Sequence, residues 1–255
     1  MHRHDYALAH FLEHTVDVLT HFDVRVLRDL GAQLRRPGWL AAEWLQGRRV
    51  AHAPPVQLFL ITNLLFYLLA GLSHFSPFET RLPYHLHAPL WGGWARQLLA
   101  RHVPLAGPGW LAFATRFDAA AHVYSKSLVF LFIPLLALPL WLLFWRQRRY
   151  FVEWLSLSVY LFGGLLLLFA AMAALALLGR VLPPLSRLLA EDALVVPTMF
   201  ALTTAYAAFF FERAFAPQPL LLRWGKAVLF TGAFLLALLL PYRFVLFLVG
   251  YWAAT

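Results

Sequence analysis

Hydrophobic residues dominate five long segments of the chain, and shorter stretches rich in arginine, proline or other polar residues separate them. A helix needs about 20 residues to cross a hydrocarbon core of about 30 Å, and each segment is close to that length. The pattern predicts transmembrane helices at residues 56–72, 128–145, 155–178, 194–211 and 227–249. We therefore expect an all-α membrane protein with about five transmembrane helices.

Ahead of the first span, apolar positions in residues 5–31 recur at intervals of three and four, which is typical of an amphipathic helix. We expect this helix to lie on the membrane surface or to dock on the helix bundle, and to end at Gly31. Residues 38–50 form a second short element. Its Trp39 and Trp44 have the amphipathic rings that are common at the level of the lipid headgroups.

Composition supports a membrane setting. Hydrophobic residues make up 62% of the chain and charged residues 13%, whereas about 25% of a typical soluble protein is charged. The formal net charge is +9, but the basic residues lie beside hydrophobic segments, which favours anionic lipid headgroups rather than nucleic acid. The chain has no cysteine, which excludes disulfides and thiolate metal sites. We expect membrane lipids as partners, with a homo-oligomer or a membrane-protein partner as further candidates, and no cofactor.

The distribution of lysine and arginine predicts the orientation. Most of the 21 basic residues fall on the side that carries the N-terminus, and Arg48 and Arg49 directly precede the first span. Because basic loops stay in the cytoplasm, we expect a multi-pass protein of a bacterial inner (plasma) membrane with a cytoplasmic N-terminus. Residues 1–53 would form a region on the cytoplasmic face, residues 54–255 the transmembrane bundle, and residues 73–127 a long external loop.

Four polar residues of the N-terminal helix share one face at helical spacing: His10, His14, Asp17 and His21. Two histidines four residues apart can bind one metal ion, with an aspartate as a third ligand or as a hydrogen-bond acceptor. A solvated, weakly basic face near the lipid headgroups explains the same pattern without a metal. We expect the solvated face.

Asp118 and His122 stand four residues apart near the second span, and such a pair can act as a general acid and base. The simpler interpretation is a hydrogen bond on a helix surface. Glu153 lies in the first turn of the third predicted helix, where the helix dipole stabilises a carboxylate. We expect a structural role for that glutamate.

Two acids ahead of the first span are expected to form ion pairs. Asp23 lies at the edge of the apolar stripe, and pairing with Arg48 or Arg49 would fix the surface helix to the first span. Glu43 would pair in the same way with Arg36 or Arg48. These pairs predict that the N-terminal region packs against the bundle.

The block ahead of the first span contains an acid, Arg-Pro-Gly, an aromatic residue, Gly-x-Arg and a proline that opens the span. Its residues are Asp23, Arg36, Pro37, Gly38, Trp44, Gly47, Arg49 and Pro55. The block resembles a bacterial membrane family known only as a domain of unknown function, and residues 125–127, 149–150 and Glu153 extend the resemblance. Members often begin with a cysteine-containing, zinc-ribbon-like segment and carry histidine after the glutamate, whereas this chain has no cysteine and has Trp154. The resemblance implies a class of membrane protein and supplies no activity.

Three functional classes remain. Surface helices, tryptophans and a basic inner face favour a non-catalytic component that organises lipids or partner proteins. Prolines within two spans favour a small transporter or channel, but the spans contain almost no ionisable residues except Arg243, which opposes it. An interfacial membrane enzyme would need His10, His14 and a residue from another segment in one cavity. We expect the non-catalytic component.

Overall fold

The computed structural model describes residues 24–73, 75–101, 108–179 and 192–255. Within these ranges the regular structure is helical and no strand occurs, which confirms the all-α membrane fold. The helices are α1 (Val24–Arg35), α2 (Trp39–Leu45), α3 (Pro55–Ser73), α4 (Leu82–Leu86), α5 (Gly92–Ala100), α6 (Pro108–Leu128), α7 (Phe132–Phe144), α8 (Phe151–Gly179), α9 (Asp192–Ala214), α10 (Leu220–Ala237) and α11 (Arg243–Ala254).

Four helical stretches among the described residues are long and apolar enough, by length and composition, to cross a membrane. They are Pro55–Ser73, Gly109–Gln147, Phe151–Gly179 and Leu220–Ala254. These stretches match the first, second, third and fifth predicted spans. The fourth predicted span, residues 194–211, lies inside α9, which is not among the four stretches. The count of five spans therefore stays a prediction.

Two of these stretches are much longer than predicted. Helix α6 continues through a 3₁₀ turn at Val129–Leu131 into α7, and α10 continues through a π-helical turn at Leu238–Tyr242 into α11. At about 1.5 Å per residue, the 39 residues of Gly109–Gln147 extend about 58 Å, nearly twice a hydrocarbon core of about 30 Å. This stretch is therefore too long to fit within such a core along the membrane normal.

The segment predicted as an external loop, residues 73–127, contains three helices, α4, α5 and α6. Helix α6 is less uniformly apolar than a span, but Phe113 and Phe117 recur at helical spacing and are completely buried. Their rings contact Phe247 and Tyr251 of α11. Because α6 is only partly apolar and buries its phenylalanines against α11, hydropathy alone indicated a loop.

Helices α3, α7, α8, α9 and α10 form the core bundle, in which α3 packs along α8 and α7 packs against both α8 and α10. Phenylalanine rings fill its centre, with centroids between 5.0 and 6.2 Å apart: Phe66, Phe78, Phe132, Phe162 and Phe234. Edge and offset contacts of this kind stabilise an apolar interior beyond simple burial. The core bundle is therefore closed by aromatic packing.

Helices α4, α5, α6 and α11 form a second unit, which we call the lobe. Helix α6 packs along α11, and α4 contacts both. Trp91 and Trp94 hold α5 against α11, since both rings lie within 5.9 Å of the Phe244 ring. Because α6 runs into α7 and α11 follows α10, the lobe and the core bundle share the two longest helical stretches.

Helix α1 packs against α2, α3 and α8, while α2 packs against α8 and α9. The predicted end of the first helix at Gly31 is wrong, because α1 continues to Arg35. The turn follows at Pro37 and Gly38, where proline restricts the residue before it and the glycine adopts a φ of 82°. The chain therefore turns at the Arg-Pro-Gly sequence.

Candidate functional site: a polar cleft between the core bundle and the lobe

In the described part of the N-terminal region, the carboxylate of Asp29 is completely shielded from solvent. Its Oδ2 accepts a hydrogen bond from the Ala53 backbone N–H at 2.8 Å, and its Oδ1 lies 3.2 Å from His52 Nδ1. Arg28 donates to Asp29 Oδ1 at 3.2 Å and also to the Ala51 carbonyl. These bonds tie α1 to the chain that enters α3, so Asp29 has a structural role.

Gln33, one turn further along α1, joins the N-terminal region to the core bundle. Its Nε2 donates to the Tyr160 backbone carbonyl at 2.6 Å, and the backbone carbonyl of Gln33 accepts from the Tyr206 hydroxyl at 3.0 Å. Gly164 makes room for this tyrosine, since a Cβ there would lie 1.7 Å from the Tyr206 hydroxyl oxygen. These contacts hold α1 against both α8 and α9.

The Arg-Pro-Gly sequence forms the turn between α1 and α2 and contacts α9. A Cβ on Gly38 would lie 2.3 Å from the Phe210 carbonyl oxygen, and the Pro37 carbonyl accepts a hydrogen bond from Arg213 at 3.3 Å. Arg36 is exposed. Glycine is therefore required at position 38 both for its backbone conformation and for the close approach of two backbones.

The rest of the block also forms local contacts. Glu43 pairs with Arg48, one of its two predicted partners, and one of their two hydrogen bonds measures 2.7 Å. The hydrogen bond from Arg48 lowers the pKa of the Glu43 carboxyl. The Arg49 guanidinium lies 4.7 Å from the centre of the Trp44 ring, and Pro55 is buried at the start of α3. These residues shape the entry into the first span.

Glu153 lies in the first turn of α8, where its Oε2 accepts a hydrogen bond from the Tyr150 N–H at 3.0 Å. This geometry agrees with the structural role expected at a helix start. Other predicted residues lie outside the described residues: His10, His14, Asp17, His21 and Asp23.

A cleft of about 560 Å³ opens where the core bundle meets the lobe. The end of α3 forms one wall, and the polar side chains come from the connection between α3 and α4, from α4 itself, from α6 and from α11. These side chains are Ser76, Glu79, Thr80, Arg81, Tyr84, His122 and Arg243. A smaller cavity of about 50 Å³ adjoins the cleft and also contacts Glu79 and His122. Four separate segments thus bring polar groups to one place.

His122 forms a hydrogen bond with Glu79, with 3.0 Å between Nδ1 and Oε2. An ionised carboxylate can only accept, so Nδ1 donates this hydrogen bond; in the neutral form of the ring, Nε2 is then available as a base or ligand. The side chain of His122 is 49% exposed, so a ligand can reach it. Asp118, its predicted partner, instead accepts the Leu82 backbone N–H at 2.9 Å, at the start of α4. The structure thus places His122 at a site but pairs it with Glu79.

Two guanidinium groups line the cleft. Arg243 begins α11, and its buried Nε has no hydrogen-bond partner. Arg81 directly precedes α4. A buried donor without an acceptor costs about 1–3 kcal/mol, and guanidinium groups bind carboxylates and phosphates through several N–H groups at once. With Glu79 as the one acid among the lining residues, the cleft favours an oxyanion ligand.

Two tyrosines beside the cleft form hydrogen bonds to backbone carbonyls, and we call this region the floor: Tyr67 lines the adjoining small cavity, and Tyr242 directly precedes Arg243. Tyr67 donates to the Ser125 carbonyl at 2.9 Å, and Tyr242 donates to the Phe78 carbonyl at 3.0 Å. Tyr242 is the last residue of the π-helical turn, directly before Arg243. The turn therefore positions a floor residue and a lining residue together, and π-helical turns of this kind often occur at functional sites.

Sequence reasoning missed most of the cleft. Glu79, Arg81 and Tyr84 fall in the segment predicted as a loop, where polar residues are common and do not indicate a site. Arg243 was detectable as an arginine within a hydrophobic segment. Within the described ranges, no group of three His, Asp or Glu side chains could hold a metal ion.

Residues 23–67 match the family model of a protein of unknown function (DUF3667). The match confirms the resemblance of the Arg-Pro-Gly block to a family of unknown function. It covers α1, α2 and most of α3, and it ends before the residues of the cleft. No curated protein and no solved structure is significantly similar to the chain. The comparisons therefore assign no function to the residues of the cleft.

Proposed function

We propose that this multi-pass membrane protein is a non-catalytic component that binds the headgroup of an anionic lipid in the polar cleft. One observation carries the proposal: Arg81 and Arg243 converge on one cleft, and the buried Nε of Arg243 has no acceptor within the protein. A lipid phosphate offers several oxygen acceptors to both guanidinium groups. Binding would satisfy the donor that folding leaves unpaired.

The acid and the imidazole add a second requirement. Glu79 and His122 Nε2 are acceptors, so they favour a ligand that also carries a hydroxyl or ammonium donor. A glycerol headgroup combines a phosphate with hydroxyl donors. We therefore propose a phosphatidylglycerol-like ligand rather than a simple anion.

The packing beneath the cleft favours binding of a ligand rather than transport of a substrate through the bundle. The rings of Phe66, Phe78 and Phe132 are fully buried and in contact below it. A small transporter would have to separate these rings in each cycle. The tyrosine hydrogen bonds of the floor oppose that movement.

The test is a lipid titration followed by native mass spectrometry, on protein purified in a neutral detergent. Phosphatidylglycerol is the probe and phosphatidylcholine the reference. A hydrogen bond to a charged group contributes about 1.5–3 kcal/mol, so Arg243→Gln should weaken phosphatidylglycerol binding about tenfold or more. Arg116→Gln removes an exposed charge elsewhere on α6 and should change binding less than about twofold. Equal losses in both variants would refute the cleft as the site.

The hydrogen bond between Glu79 and His122 favours a second candidate function, an interfacial membrane enzyme. A carboxylate that orients an imidazole is a common arrangement for a general base. Incubation of the protein with phosphatidylglycerol, followed by mass spectrometry of the lipid, would detect turnover. Turnover that is lost in both His122→Asn and Glu79→Gln would favour the enzyme. Intact lipid with retained binding would favour the non-catalytic component.

We also propose a bacterial inner membrane and a cytoplasmic N-terminus, from the basic residues around Arg48 and Arg49. The cleft would then lie toward the outer face, because it forms at the end of α3 that is remote from these residues. A phosphatase fused to the C-terminus should be active outside the cytoplasm. Activity of a cytoplasmic reporter at that position would contradict the proposed topology.

A further inference from the structure

A second cavity, of about 430 Å³, lies where the chain leaves α7 and where α10 begins. This end of the core bundle also carries the N-terminal region, since Arg213 at the end of α9 bonds to Pro37. The polar lining consists of two cations and two amides: Arg146, Lys226, Gln147 and Gln218. No acid lines the cavity. Its chemistry therefore differs from that of the cleft.

The two cations line one cavity, and no acid is among its lining residues. Arg146 and Lys226 come from different helical stretches and are close enough for their positive charges to repel. Aromatic rings support both groups: the Lys226 ammonium lies 4.2 Å from the centre of the Phe144 ring, and the Arg146 guanidinium 5.8 Å from that of Trp145. An anion between the two cations would turn this repulsion into attraction.

The nearby acid is already engaged. Glu212 forms an ion pair with Arg223 at 2.8 Å, and both line the adjoining cavity. Gln218 lines both cavities, and its Oε1 is buried without a hydrogen-bond donor. Gln147 uses its Oε1 to accept from Arg149 at 3.1 Å, which leaves its amide N–H groups to donate. A matching ligand thus has an oxyanion for the cations and a hydroxyl for Gln218.

An apolar stripe leads away from the cavity along α7 and the turn after it. Leu138, Trp141, Leu142 and Trp145 follow the i, i+3, i+4, i+7 pattern of one helix face, and they are between 50% and 66% exposed. Such a face provides a surface for acyl chains directly beside the cation pair. A free phosphate ion would make no use of it.

We propose that this cavity binds the phosphate of an anionic phospholipid with a hydroxyl-bearing headgroup, held between Arg146 and Lys226, with its acyl chains along the α7 stripe. The site is independent of the cleft, because it shares no lining residue with it. Occupation would join the end of α7 to the start of α10.

The experiment is a lipid titration by native mass spectrometry in the Arg243→Gln background, so that binding at the cleft is already weakened. Each basic residue near a lipid surface contributes about a fivefold change in binding. The double substitution Arg146→Gln, Lys226→Gln should therefore weaken phosphatidylglycerol binding roughly 20-fold. Arg148→Gln, which removes a neighbouring exposed charge that does not line the cavity, should have less than about a twofold effect.

Two further comparisons separate the sources of the phosphate. Gln218→Leu should reduce binding of phosphatidylglycerol more than binding of phosphatidic acid, because only the former offers the glycerol hydroxyls. Inorganic phosphate at millimolar concentration should leave phosphatidylglycerol bound. Displacement by inorganic phosphate, or an equal loss in Arg148→Gln, would overturn the proposal. If protein that keeps Arg243 still binds phosphatidylglycerol in the cleft, then only the proposal for this cavity fails and the proposed function stands.

Discussion

The N-terminal region and the cleft both place charged side chains beside apolar helices, but they differ in how those charges are satisfied. Both carboxylate oxygens of Asp29 accept hydrogen bonds within the protein. In the cleft, the buried Nε of Arg243 has no acceptor, and His122 keeps one ring nitrogen free. The first arrangement is complete without a ligand, whereas the second leaves hydrogen-bonding groups for the ligand that we propose.

The two regions separate polar groups with a structural role from those that remain open to a ligand. A buried polar group that is paired within the fold stabilises it, and one that is left unpaired costs free energy unless a ligand provides the partner. The family match falls on the paired region, residues 23–67, and not on the cleft. The matched block therefore supports the architecture of the N-terminal region, and substitutions there should act mainly on stability.

The largest expected effect is that of Asp29→Ala. Removing this carboxylate leaves Arg28, His52 and the Ala53 N–H without their buried acceptor. Breaking a buried charge pair from one side costs about 3–5 kcal/mol, so we expect a loss of that size in the free energy of unfolding in detergent. Glu43→Gln is the matched control, and its effect should be much smaller because its partner Arg48 is largely exposed. Similar losses of unfolding free energy in the two variants would contradict the larger contribution that we expect from the buried pair.

The second effect is that of Gly38→Ala, compared with Gly47→Ala. Both glycines have φ near +80°, which costs a residue with a side chain about 1–2 kcal/mol. Only at Gly38 does the added Cβ also collide with the backbone of α9, and overpacking costs about 1–3 kcal/mol more. Thermal unfolding should therefore show a clearly larger decrease in Tm for Gly38→Ala. Equal decreases would mean that the α2–α9 contact is looser than the structure shows.

The sequence alone predicts the helical membrane fold well, because long apolar segments leave few alternatives in a bilayer. It also predicts Arg36 or Arg48 as the partner of Glu43, of which the structure shows Arg48, and it predicts the helix start at Glu153. Both predictions rest on residues that are close in sequence. The second span was predicted too short, because α6 is less apolar and packs along α11.

The cleft could not be predicted, because it depends on tertiary contacts. Glu79 and His122 are 43 residues apart, and Arg243 joins them only through the packing of the lobe on the core bundle. The i, i+4 spacing of Asp118 and His122 suggested a pair, but the nearest free donor for Asp118 was the backbone of α4. The spacing therefore pointed to a histidine that lines the cleft, but the carboxylate that bonds to it is Glu79 and not Asp118.

The smallest effect is expected from His85, a polar side chain that is buried in its neutral form. The ring of His85 lies 5.6 Å from the rings of Phe117 and Phe247, and its Nε2 lies 3.3 Å from the Thr80 carbonyl. The pKa of His85 is lowered from 6.5 to about 4, chiefly by burial; the hydrogen bond to Thr80 opposes the shift, and the charge of Arg243 adds to it.

Since the pKa of His85 is lower in the folded state, its contribution to stability is fully present above about pH 6.5 and is lost as the pH falls toward 4. At about 1.4 kcal/mol per pH unit, the loss between pH 7 and pH 4.5 should be roughly 2–3 kcal/mol. Thermal unfolding over this range should show a steeper decline for the wild type than for His85→Phe, which keeps an aromatic ring but cannot take up a proton. Parallel pH profiles would show that His85 is hydrated in the lobe. In that case His85 would not count as a buried neutral group, although it lies beside residues that line the cleft.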